Sequence, residues 1–138
     1  MFGSDPKKKR IAAWEERVKE AVRSGSYTGG WTSAYGDFSF SGKPRVYVNY
    51  NQYEQVTHVH VIRDLDISYL IGPIRSLKNR PPREVLLQDK KENVNKAVAL
   101  LRSLVDAAIR RVVAEDEDAL PGRFDVRVEI WEGTVWGI

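Results

Sequence analysis

A long alternation of apolar and polar residues, from Thr57 to Ile71, limits most strongly how this chain can fold. The odd-numbered positions are mainly apolar, whereas the even-numbered positions include two histidines and two aspartates. A period of two residues is typical of a β-strand that buries one face. Because the alternation continues through the segment RDLD, it predicts either one unusually long strand or two strands that meet there.

Two further segments show the same period. One is RVYVNYN, which begins at Arg45 and places Val46, Val48 and Tyr50 on one face. The other lies near the end of the sequence, where charged residues separate four apolar ones: Phe124, Val126, Val128 and Ile130. The segment EGTVWGI follows it and predicts a turn at Gly133 and a short return strand.

Apolar residues spaced by three and four predict two amphipathic helices, over residues 6–24 and about 90–114. The segment 72–91 contains three prolines and is predicted to be mainly loop. The elements therefore follow the order helix, strands, helix, strand. This order favours a single α+β domain over residues 1–138, with a mostly antiparallel sheet and both helices packed on one face.

Composition excludes several classes of protein. With 138 residues and no cysteine, the chain has no disulfide, no zinc–thiolate site and no thiol nucleophile. No apolar run reaches the roughly 20 residues that cross a bilayer. The basic residues near the start precede no apolar stretch, so they do not form a secretory signal. We therefore expect a cytoplasmic or otherwise intracellular protein with no membrane partner.

Residues 25–42 differ in composition from the rest of the chain. They combine glycine, serine and aromatic residues and contain a single charge, Asp37. Glycine and serine weaken regular structure, whereas aromatic side chains need a surface to cover. The segment is predicted to be a twisted hairpin or an arm that folds back on its own domain or lies on a neighbouring subunit. Trp31 and Tyr35 are its candidate oligomer contacts.

Two runs of charge oppose the dipoles of the predicted helices. Four cations lie at the start of the first helix, where a helix dipole prefers anions: Lys7, Lys8, Lys9 and Arg10. Four anions lie at the end of the second: Glu115, Asp116, Glu117 and Asp118. The two runs are either solvated ends or partners of each other, within one chain or between subunits. The basic run can also contact a polyanion.

A second basic cluster lies in the proline-containing segment, at Arg75, Lys78, Arg80 and Arg83. Cations on a flexible loop can follow a phosphate backbone, and exposed aromatic rings offer faces on which bases stack. Together with residues 7–10, this cluster makes a nucleic-acid-binding protein one hypothesis for the function. Ordinary solvated charge is the alternative.

The chain has two histidines, both in the segment THVHVI, and their spacing places them on one face of a strand. The triplet His58–Val59–His60 resembles the His-hydrophobic-His element of the HUH nicking and replication-initiation endonucleases. This resemblance implies that the two histidines hold a divalent cation beside a tyrosine nucleophile that attacks a DNA phosphate. Because the second predicted helix contains no tyrosine, Tyr50 or Tyr53 would act as that nucleophile.

No phosphate-binding glycine loop and no GxSxG nucleophile motif occurs in the sequence. The sequence therefore favours a non-enzymatic binding or assembly module that forms homo-oligomers. Its element order and size are similar to those of small phage tail-terminator and head-completion proteins, which form rings, and this similarity implies a viral structural protein. A nucleic-acid binder and a metal-dependent endonuclease are the alternatives, and only the last implies a cofactor, a divalent metal ion.

Overall fold

Two helices and a four-stranded sheet follow one another in the predicted order. The structure, a computed structural model, describes residues 6–25, 29–53, 55–69, 81–115 and 124–138. The helices are α1 (Pro6–Ser24) and α2 (Arg83–Glu115). The strands are β1 (Gly30–Thr32), β2 (Asp37–Tyr50), β3 (Val56–Ser68) and β4 (Asp125–Trp136). The predicted α+β fold class is confirmed.

The sheet has the spatial order β1-β2-β3-β4. The pairs β1–β2 and β2–β3 are antiparallel, whereas β4 runs parallel to β3. A parallel pair needs a long crossover connection, and α2 lies in the chain between these two strands. The sheet is therefore mixed and mostly antiparallel. The alternating segment forms one strand, β3, of 13 residues.

Both helices cover the same face of the sheet, and the core between them has two parts. One part joins α1 and the second half of α2 to the strands through Trp14, Val59, Val61 and Val105. The other lies under the first half of α2 and contains Phe38, Phe40, Leu65, Ile67 and Leu86. Because the strands present most of their apolar residues to the helices, most of their polar residues lie on the opposite face, which we call the outer face.

The two helices run in opposite directions. Arg17 of α1 forms an ion pair with Glu115 at the end of α2, with 2.7 Å between Nη2 and Oε2. One turn further along α1, the carbonyl oxygen of Ala21 accepts a hydrogen bond from Arg111 at 3.4 Å. The second half of α1 therefore lies beside the last turns of α2. In the described part of the chain, neither helix is both long and apolar enough to cross a membrane.

Two predictions about individual elements are wrong. The second helix begins at Arg83 rather than near residue 90, because the carbonyl of Pro82 accepts the backbone N–H of Val85 at 3.0 Å and so starts the first turn. The return strand after Gly133 is absent, because β4 continues to Trp136 beside β3. A register shift takes up Gly133 and Thr134, and the N–H of Thr134 donates to Asp66 Oδ1 at 3.1 Å.

Candidate interaction surface

The two edges of the sheet differ in length. At one edge β1 has 3 residues, whereas at the other β4 has 12. Among the described residues, no strand pairs with the outer side of β4. An unpaired edge of this length presents a row of backbone donors and acceptors to a neighbouring chain.

The contact of Arg102 shows which backbone groups of β4 face the open edge. Its Nη1 donates to the carbonyl oxygen of Val126 at 3.0 Å, so this carbonyl points away from β3. Since the N–H and C=O of alternate residues point to the same side of a strand, Val128 and Ile130 direct theirs to the open edge as well. Arg102 thus occupies the position of a donor that a further strand would supply.

The first half of β4 is amphipathic. Val126, Val128 and Ile130 are half-buried and pack against the core formed by the helices. Between them, Arg127 and Glu129 are exposed on the outer face. This half is therefore apolar on the helix side and charged on the other.

The second half of β4 is exposed on both faces and carries large apolar side chains. Trp131 is 46% exposed, Val135 37% and Trp136 58%. The ring of Trp131 is held on the outer face by Arg45, whose guanidinium carbon lies 4.3 Å from the ring centroid. Arg45 in turn pairs with Asp64 at 3.1 Å. Large apolar side chains exposed on an edge strand make this half of β4 a candidate interaction site.

No protein-family model, curated protein or solved structure matches this chain. Its function is therefore inferred from its own geometry. We call residues 125–136, with their open backbone edge and exposed tryptophans, the β4 edge.

The histidines lie on the outer face next to the β4 edge, and each has its own neighbour. His60 Nε2 is 3.3 Å from Glu129 Oε2, and His58 Nδ1 is 3.2 Å from Thr57 Oγ1. Within the described ranges, no three His, Cys, Asp or Glu side chains are grouped closely enough to hold a metal ion. The predicted divalent-metal site of the endonuclease hypothesis therefore gains no further ligand here.

The two tyrosines of that hypothesis lie elsewhere. Tyr50 donates its hydroxyl to Glu15 of α1, so this hydroxyl is on the helix side of the sheet rather than beside the histidines. Partial burial, followed by this hydrogen bond, raises the pKa of Tyr50 above its ordinary value. Tyr53 is in the turn between β2 and β3 and is 69% exposed. Of the two, Tyr50 is thus the one whose hydroxyl is bonded to α1, whereas the Tyr53 ring is exposed in the turn.

A buried polar cluster attaches the β1–β2 hairpin to α2. Asp89 accepts hydrogen bonds from Ser33 Oγ at 2.7 Å, from the Tyr69 hydroxyl at 3.0 Å and from Asn93 Nδ2 at 3.3 Å. Burial and then the contact with Asp89 raise the pKa of Tyr69 above its ordinary value. Because these groups satisfy one another beneath the hairpin, the cluster has a structural role.

The candidate arm contacts belong to the same region. The Trp31 ring stacks on Phe38 with 5.8 Å between centroids, and its Nε1 donates to Asn93 Oδ1 at 2.9 Å. Tyr35 is half-buried and packs against the second core cluster. Residues 30–42 therefore fold back on their own domain. The proposed role of these two residues at an oligomer contact stays a prediction.

The structure describes only part of the charged candidates. Lys9, Arg10 and Arg83 are exposed, and Glu115 pairs with Arg17. The other members lie outside the described residues or side chains: Lys7, Lys8, Arg75, Lys78, Arg80, Asp116, Glu117 and Asp118. Pairing between the two charge runs, and contact of either basic cluster with a polyanion, stay predictions.

Sequence reasoning missed the exposed tryptophans of the β4 edge. The signal was present in EIWEGTVW, where the alternation of apolar and charged residues breaks down at Trp131. A predicted turn at Gly133 concealed it, because a return strand would have paired with this segment.

Proposed function

We propose that this chain is a non-enzymatic assembly module that forms homo-oligomers, with the β4 edge as its contact surface. One observation carries the proposal: half of a 12-residue edge strand is exposed and bears Trp131, Val135 and Trp136. Tryptophan is enriched among the residues that dominate the energy of protein interfaces. The partner is a second copy of the chain, which is present in any solution of the protein.

The free energy gained by covering the two tryptophans is large enough to affect assembly. Complete burial of a large apolar side chain contributes about 1.5–3 kcal/mol. Because Trp131 and Trp136 are about half exposed, covering what remains of each contributes roughly 1–1.5 kcal/mol by the same scale. Loss of both side chains is therefore enough to change a dissociation constant by a factor of ten or more, since that factor corresponds to about 1.4 kcal/mol.

For the biological setting, the support is a similarity of element order. The order helix, strands, helix, strand is similar to that of small phage tail-terminator and head-completion proteins, which form rings. This similarity supports a structural component of a virus particle as the specific assembly.

Removal of the two tryptophans tests the proposal. We expect the wild-type chain to form a discrete oligomer and the double variant W131S/W136S to dissociate, with a dissociation constant at least tenfold higher. Light scattering coupled to size-exclusion chromatography measures the mass. Tyr53→Ser is the matched control, because it removes a 69% exposed aromatic ring from the turn between β2 and β3.

Circular dichroism separates loss of assembly from loss of folding, because Trp131 also contacts Arg45 within the chain. A monomeric wild type at about 100 μM would contradict the proposal. So would an oligomer whose mass is unchanged in the double variant.

The charge distribution favours a nucleic-acid-binding protein as the second candidate. The two helices together contain 14 Lys or Arg and 8 Asp or Glu, whereas β2, β3 and β4 contain 4 and 6. A phosphate backbone would therefore bind on the helix side of the sheet. The same chromatography tests this function: a monomer that co-elutes with nucleic acid at low salt and releases it at high salt supports the binder.

A further inference from the structure

The residues that flank Val128 in β4 form a self-complementary pattern. One residue away on either side, Arg127 and Glu129 are exposed on the outer face and carry opposite charges. Two residues away, Val126 and Ile130 are both half-buried and apolar on the helix side. Such a segment is complementary to a second copy of itself in the reverse direction.

We propose that two copies of the chain pair through antiparallel β4 strands, with Val128 opposite Val128 of the second copy, and so form one continuous sheet of eight strands. This inference rests on the proposed function and specifies the strand pairing within it: residues 125–131 pair with the second copy, whereas Val135 and Trp136 lie beyond the last pair. A two-fold axis perpendicular to the sheet generates the pair and places the helices of both copies on the same side. Residues directly opposite each other in an antiparallel pair share a face.

The backbone of β4 fits this arrangement. Val126, Val128 and Ile130 direct their N–H and C=O groups to the open edge, as the contact between Arg102 and Val126 indicates. Across the axis, Val128 would exchange both hydrogen bonds with its own copy, and Val126 would exchange both with Ile130 of the second copy. The N–H of that Ile130 would then replace Arg102 as the donor to the Val126 carbonyl.

The charges select this register from its neighbours. With Val128 on the axis, each Arg127 faces Glu129 of the second copy, and opposite charges in that position stabilise a strand pair. A shift that puts Arg127 or Glu129 on the axis places two like charges directly opposite each other, which destabilises the pair. A register centred on Val126 would also pair unlike charges, Asp125 with Arg127, but it would use only three residues of the strand.

A charge-swap cycle tests the register. Arg127→Glu places two glutamates opposite each other at both symmetric positions, and Glu129→Arg places two arginines there. We expect each single variant to raise the dissociation constant of the dimer at least tenfold. The double variant R127E/E129R restores unlike pairs and should return within about threefold of the wild-type value, as measured by analytical ultracentrifugation. Glu20→Arg, an exposed reversal on α1, is the matched control.

Engineered cysteines give a second measurement, because the chain has no cysteine of its own. Hydrogen-bonded residues on the axis have Cα atoms about 5.5 Å apart, within the range of a disulfide. Val128→Cys should therefore form a covalent dimer on mild oxidation. Arg127→Cys should not cross-link to itself, since its two copies are diagonal neighbours about 7–8 Å apart, but it should cross-link to a chain carrying Glu129→Cys.

The outcomes separate this register from the proposed function. A monomeric wild type overturns both. An oligomer that is insensitive to either single reversal, or that the double variant does not restore, overturns the register and leaves homo-oligomeric assembly standing. Restoration together with the Val128→Cys cross-link establishes the register.

Discussion

A single buried carboxylate holds the β1–β2 hairpin on the long helix. Asp89 is 9% exposed and receives three hydrogen bonds from three different parts of the chain: Ser33, Tyr69 and Asn93. Each donor that loses a buried acceptor has a desolvation cost of about 1–3 kcal/mol. We predict that Asp89→Asn lowers the free energy of unfolding by roughly 2–3 kcal/mol, because the amide turns a donor toward donors. Chemical denaturation measures this difference.

Glu92→Gln is the matched control for this prediction, since it removes one negative charge from an exposed position on the same helix. It should change the unfolding free energy by less than about 0.5 kcal/mol. Spectrophotometric titration gives an independent readout: without the carboxylate of Asp89, the raised pKa of Tyr69 should move down toward its ordinary value. Equal stability of the two variants would show that the cluster does not anchor the hairpin.

At the scale of the elements, different effects oppose substitution of Gly36, which precedes β2, and of Gly42, which lies within β2. A Cβ atom on Gly36 would lie 2.7 Å and 2.8 Å from ring atoms of the buried Tyr69. Gly42 has a φ of +67° at a register shift of β2, but a Cβ atom there would meet nothing within 4 Å. We predict that Gly36→Ala destabilises the protein by about 2–3 kcal/mol through overpacking. Gly42→Ala should cost only about 1–2 kcal/mol, through its left-handed backbone.

Thermal unfolding of the two alanine variants compares these effects directly. The informative result is which of the two variants loses more stability, because both changes add the same methyl group. A larger loss of stability in Gly42→Ala would mean that Tyr69 moves aside easily and that the backbone conformation at the shift dominates.

The sequence predicts an element well where one local pattern determines it. The alternation from Thr57 onward identifies β3, and the spacing of Leu101, Val105 and Val112 identifies α2, because burial of one face is enough to specify a strand or a helix. The start of α2 at Arg83 was missed because two prolines precede it, although proline is compatible with the beginning of a helix.

The course of β4 depends on distant residues. Gly133 indicates a turn in the sequence, but the strand continues because Asp66 of β3 accepts the N–H of Thr134. The parallel pairing of β4 with β3, and therefore the open edge itself, follows from the packing of α2 across the sheet rather than from any local pattern. For this reason the β4 edge is identified from the structure, although its charged and apolar residues can be read from the sequence.

For the whole molecule, we expect the β4 edge of the sheet, and not the β1 edge, to pair on assembly. β1 is short, and Trp31 within it is held by Phe38 and Asn93, so this edge offers little backbone to a neighbour. β4 is four times longer and presents Val126, Val128 and Ile130 to its open side. Natural proteins shorten or cover the edges that must not pair, so the edge of β4, which no described strand covers, is the one we propose to pair.

Hydrogen exchange at two protein concentrations distinguishes these edges. We predict that the backbone amides of Val128 and Ile130 exchange at least tenfold more slowly in concentrated than in dilute solution, because assembly supplies them with carbonyl acceptors from a second copy. The amides of β1 should exchange at the same rate in both solutions. Protection of β4 that does not depend on concentration would mean that its edge is already covered within one chain, whereas concentration-dependent protection of β1 would place the contact at the opposite edge of the sheet.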